Sequence, residues 1–189
     1  MKVILAGIAG ALLMLTSVTA AADEYDDTVA LFKNAGQSAA FFSRSYGYAV
    51  FPTIGKGGFV VGAAHGDGRV FEKGKYVGDT TVNQLSVGAQ AGGQAYSQIV
   101  FFEDERSFKE FTSGSYEFGA DIGAVAITAS ASAKAGTSGA GSAAAGGKKD
   151  ATTSGKYHKG LVVFTIVKGG AMYEATVAGQ KFKYKPLAK

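Results

Sequence analysis

The residues best placed to do chemistry are lysines. In "KFKYKP", Lys181, Lys183 and Lys185 alternate with Phe182 and Tyr184, so an extended chain puts three ammonium groups on one face and two rings on the other. That arrangement suits a phosphate-rich surface, and equally an edge strand that blocks unwanted pairing. Catalytic patterns are missing. The two histidines, His65 beside Asp67 and His158 in "KYHKG", lack metal-ligand spacing. Neither G-x-S-x-G nor G-x-x-x-x-G-K-[ST] occurs, and "GKGGFVVG" lacks the strand-to-helix setting of a nucleotide loop. With no cysteine, disulfides and a lipidated cysteine are excluded. The chain reads as non-catalytic, with no metal or cofactor expected.

The lysine strand sits in a basic setting. Lys148 to Lys189 carry 9 basic and 2 acidic side chains, against 9 and 13 in Asp23 to Gly147. A surface polarised in this way meets anionic lipid, nucleic acid or an acidic partner, with a solvated basic face as the plain alternative. At the other end, "MKVILAGIAGALLMLTSVTAAADEYDD" has Lys2, an apolar run from Val3 to Val18, and small residues before the acids. It predicts a signal peptide over 1–22, cleaved after Ala20 or Ala22. The run is shorter than the ~20 residues of a bilayer span, and a retained anchor is the alternative. A periplasmic or secreted bacterial protein follows, with one domain over 23–189.

The elements that would position these residues can be read from periodicity. "DDTVALFKNAGQSAAFFSRSYGY" predicts a helix capped by Asp26 or Asp27, with Val29, Leu31, Phe32, Ala35 and Ala39 near helical spacing. Its apolar face could insert among lipid headgroups or dock on the protein's own sheet. Strands follow. Phe59 to Gly66 alternates, Asp67-Gly68 predicts a hairpin turn, and Arg69 to Val77 would return. A further pair from Leu85 is expected to turn at Gly92-Gly93, and another turn is expected at Gly57-Gly58. Tyr96 to Phe102 is apolar on both faces, as a central strand is. "EDERSFKEFTSG" predicts a short helix burying Phe108 and Phe111 and closed by Gly114. Val125 to Ala133 alternates small residues, Thr137 to Gly155 is low complexity and reads as a loop, and strands resume at Leu161–Lys168, Met172–Val177 and Lys181–Lys185. The fold class is α+β, a mostly antiparallel β-sheet open to curling toward a barrel, with an N-terminal helix and a short mid-chain helix.

Several blocks in order, "GYAVFPTIGKGGFVVGAAHGDGRVF", "LSVGAQAGGQAYSQIVFF", "SFKEF" and "KYHKGLVVFTIVKGGAMYEATVAGQKFKY", resemble the SYLF lipid-binding domain family, most closely its secreted bacterial branch. The likeness runs from about Thr28 to Tyr184. It implies lipid binding without catalysis, with phosphatidylinositol binding as the family-level property. The eukaryotic Trp-Ser-x-Pro block is replaced here by "VGDTTVNQLS", so phospholipid or another amphiphile at a membrane surface is the implied partner. Neither actin nor nucleic acid is expected. The helix before "GYAVFP" holds the place of the family's amphipathic lipid-contacting segment, which makes Phe32, Lys33, Phe41, Phe42 and Arg44 candidates beside Lys181, Lys183 and Lys185. An extracytoplasmic structural or stress protein with a protein partner, or a small outer-membrane β-barrel, are the competing readings.

Overall fold

The computed structural model describes residues 20–119, 122–127, 155–170 and 179–188. Helix α1 (Ala20–Asn34) leads through two single turns, α2 (Gly36–Ala39) and α3 (Phe41–Arg44), into strand β1 (Gly47–Glu72). Strand β2 (Lys75–Phe102), helix α4 (Glu105–Phe111), β3 (Ser115–Glu117), β4 (Ala124–Ile127), β5 (Leu161–Gly170) and β6 (Gln180–Pro186) follow. The pairings are antiparallel except for β4 with β5. The α+β class and the curl of the sheet match the sequence reading.

Two unbroken strands replace the expected series of hairpins. β1 passes straight through Gly57-Gly58 and Asp67-Gly68, and β2 through Gly92-Gly93. The one turn between them is at Lys73 and Gly74, both with positive φ, which is the backbone that a two-residue hairpin requires. The interior glycines serve another purpose. A Cβ at Gly68 would lie 2.6 Å from the Phe51 ring and 2.9 Å from the Val50 carbonyl, and one at Gly66 would lie 2.7 Å from the Thr53 carbonyl. β1 therefore bends back until its second half rests on its first, and bulges near Phe51, Phe59 and Val70 supply the bend. Gly68→Ala is expected to destabilise the fold by about 1–3 kcal/mol through overpacking, read as a lower urea midpoint with an unchanged slope.

β2 organises the sheet because β1 runs along its whole length. Its first part, Gly78–Gln84, pairs with β6, and its last part, Gln94–Phe102, pairs with β5. The central position expected for Tyr96–Phe102 is therefore observed. Inside the curl pack Phe51, Val70, Val82, Val100, Phe102, Val163 and Phe182, sealed by Phe108 and Phe111 of α4. Asp104 caps α4 by accepting from the Ser107 N–H, and Ser107 Oγ accepts from the Asp104 N–H in return.

The N-terminal helices cover the outside of the first half of the sheet. Val29, Phe32, Ala35 and Phe41 pack on Val50, Ile99, Phe101 and Phe164. α1 begins at Ala20, so Asp26 and Asp27 lie inside it and neither is its cap. The chain breaks at Ala35, which is extended, and the Ser38 hydroxyl donates to the carbonyls of Phe32 and Ala35, which also accept from the Ala35 and Ser38 N–H groups. Glu24 is tied to the sheet by Thr53 Oγ1 at 3.1 Å and Lys168 Nζ at 3.6 Å. The remainder of the expected 1–22 signal segment, the 137–155 loop up to Ser154, the 128–133 part of the small-residue strand and the Met172–Val177 strand lie outside the described residues.

Candidate functional site

The eight sequence candidates fall into two groups on different walls of the curled sheet. In the helical group, Phe32 and Phe41 are buried, because the same apolar spacing that could face lipid faces the protein's own sheet. Phe42 is half-buried, edge-on to Tyr48 at 5.3 Å and Phe101 at 4.9 Å. Lys33 and Arg44 remain at the surface but lie over rings. Lys33 Nζ sits 5.4 Å from the Phe42 centroid, and the Arg44 guanidinium 3.8 Å from that of Phe41. The docked-helix reading of this segment is the one observed. What it leaves outside is two cations and part of one ring.

The second group forms an open sheet face. Phe182 and Tyr184 turn inward while Lys181, Lys183 and Lys185 are exposed, as strand alternation demands. β6 is not an edge over Lys181–Lys183, because β3 pairs with it on the side away from β2. The edge-blocking reading is therefore corrected for Lys181 and Lys183. Pairing brings each lysine a neighbour. Lys181 lies between Asn83 and Glu117 and bonds Glu117 at 3.3 Å. Lys183 lies between Thr81 and Ser115, and Lys185 is opposite Asp79.

The same face continues onto β1, where Asp79, Thr81, Asn83 and Leu85 are opposite Arg69, Asp67, His65 and Ala63. Leu85 is 79% exposed and stands one pairing step beyond the level of Lys181 and Asn83. Arg69 is clamped between two phenols, 4.1 Å from the Tyr25 centroid and 5.1 Å from that of Tyr76. The Tyr76 hydroxyl donates to Asp79. Burial, helped by that carboxylate, pushes the Tyr76 phenol up to about 12. The patch is thus a flat array of three lysines and an arginine, partly offset by Asp67, Asp79 and Glu117, with an apolar side chain at one end.

Sequence reasoning found the lysines because alternation alone places them. It missed Leu85 and Arg69, since their facing depends on pairing register and no local signal shows it. His65 bonds Asn83 at 2.9 Å and lies 4.0 Å from Asp67. Among the described residues no group of three or more potential metal ligands gathers, and no helix is long and apolar enough to cross a membrane.

Comparison with known proteins adds two findings. The model of a family described as Las17-binding protein actin regulator matches residues 83–185. That stretch contains Leu85 and the three lysines and leaves out the helical group. The chain is also similar to Beta cell expansion factor A of Aeromonas veronii, 26% identical over 158 residues that cover 82% of this chain and 51% of that protein. It spans about half the length of this curated relative.

Proposed function

The chain belongs to the SYLF (Ysc84) family, and from that premise we propose that it is a non-catalytic phospholipid-binding protein that works at a membrane surface after export. The observation that carries the reading is the β6 face, with Lys181, Lys183 and Lys185 exposed on one plane and Leu85 at its margin. Lysines held near an anionic leaflet contribute about 1 kcal/mol each, and an apolar side chain at the rim can enter the headgroup layer. The signal-like N-terminus supports export, and a periplasmic or secreted location is part of the proposal. The helical group supports a lesser contact through Lys33, Arg44 and the open edge of Phe42.

An outer-membrane barrel is disfavoured by the same face. Such a barrel needs an apolar outer band, whereas the outside of this sheet carries exposed lysines on one wall and docked helices on another.

Flotation of the purified protein with neutral and with anionic phosphatidylglycerol vesicles, at low and high salt, tests the proposal. Binding to the anionic vesicles alone, weakened by salt, is expected. Absence of binding to either kind would overturn it and favour a protein partner.

A further inference from the structure

The three arginines of the chain are held in three different ways. Arg106 pairs with Glu110 at 2.8 Å and lies 3.9 Å from Asp104. Arg44 lies over Phe41 and reaches the Tyr157 phenol. Arg69 is held by rings of two elements, Tyr25 of α1 and Tyr76 of β2, and makes no hydrogen bond or ion pair among the described residues. Pairing explains why no carboxylate takes it. Asp79 is the residue opposite Arg69, but its carboxylate accepts from the Tyr76 hydroxyl. Asp67, two residues earlier on the same face, lies 4.0 Å from His65 Nε2.

A ring attracts a guanidinium through its charge and leaves the N–H donors, which lie in the guanidinium plane, unused. Arg69 is thereby fixed in place, half-buried, with its donors unspent. A bidentate anion site needs that state before its ligand arrives, because the side chain has already lost its rotamer freedom. The lysines of the same face, by contrast, end in flexible point charges.

We propose that Arg69 is the group on the basic face that recognises a lipid phosphate, and that it selects a phosphodiester headgroup over a phosphomonoester. The inference rests on the membrane-surface reading above. A guanidinium and two phosphate oxygens match through parallel N–H···O bonds, which an ammonium group does not supply. Asp67 and Asp79 flank the fork, along the strand and across it. The second negative charge of a monoester therefore meets repulsion that a diester avoids. The lysines draw the protein to the anionic surface, and Arg69 fixes one headgroup on it.

Flotation of the purified protein with phosphatidylglycerol and with phosphatidic acid vesicles, matched in surface potential, tests it. The parent is expected to prefer phosphatidylglycerol. Arg69→Lys keeps the charge but loses the fork, and should weaken binding to phosphatidylglycerol about tenfold, the effect of losing one hydrogen bond to a charged group. Tyr76→Phe keeps the ring but releases Asp79 to pair with Arg69, and should also weaken that binding. Equal binding of Arg69→Lys and the parent would overturn the fork and leave the lysine reading intact, whereas a parent that binds neither lipid would overturn both. A parent that prefers phosphatidic acid would overturn the diester selection. Soluble glycerophosphoglycerol separates the two sources of a diester: its binding by the parent, with vesicle affinity unchanged in Arg69→Lys, would overturn the assignment to a lipid.

Discussion

Phe182→Ala is expected to lower the unfolding free energy by about 3–5 kcal/mol, as loss of a fully buried ring does. The ring of Phe182 lies 5.7 Å from that of Phe51, 5.2 Å from that of Phe111 and 4.6 Å from that of Phe118. It therefore joins β6 to β1, to α4 and to the segment after β3. Its neighbours on the strand, Lys181 and Lys183, face solvent, so Lys183→Ala serves as the matched control and should change stability little. Urea unfolding followed by tyrosine fluorescence decides the matter. A cost under about 1 kcal/mol would mean that the interior collapses around the gap and that β6 is held by backbone pairing alone.

The second large effect concerns binding. Replacing Lys181, Lys183 and Lys185 together by alanine is expected to weaken association with anionic vesicles by roughly 30- to 150-fold, from about 1 kcal/mol per near-surface lysine less what Glu117 and Asp79 already offset. The contributions should be unequal. Lys183 lies between two hydroxyl residues, whereas Lys181 has Glu117 at 3.3 Å, so Lys183→Ala alone should cost more than Lys181→Ala. Vesicle co-sedimentation at low salt measures both. If the triple variant bound as well as the parent while Lys33→Ala and Arg44→Ala did not, the contact surface would be the helical wall instead.

How much of this was legible in the sequence depends on whether the signal was local. The α4 helix could be read because its acidic first turn and its two inward phenylalanines are close together in the chain. The two-faced apolar run of Tyr96–Phe102 could be read because that segment is covered on one face by the interior of the curl and on the other by the N-terminal helices, so it has no solvent side. The turns could not. Glycine permits a turn and also permits close approach, and Gly66 and Gly68 serve the second purpose against residues of the same strand. The turn that does form is Lys73-Gly74, a weaker signal than Asp67-Gly68.

The candidate site shows the same division. Alternation placed three lysines on one face without reference to any other strand. Phe32 and Phe41 were ambiguous, since an apolar helix face looks alike whether it covers a sheet or a bilayer. Gln84 inside and Leu85 outside reverse the polarity that hydrophobicity suggests, and only the pairing with Gln180 on one face and Ala63 on the other accounts for it.

The length of β2 also bears on the order of events when the chain first folds. β1 and β2 meet through a two-residue turn, so they can zip together as soon as both have emerged from the ribosome, at little loop-closure cost. The other edge of β2 must wait, because the partner of Gln84 lies 96 residues further on. Until the C-terminal strands arrive, a long row of unpaired backbone groups stays open to other chains. Synthesis of this protein thus includes an interval of aggregation risk, set by how quickly β5 and β6 are delivered.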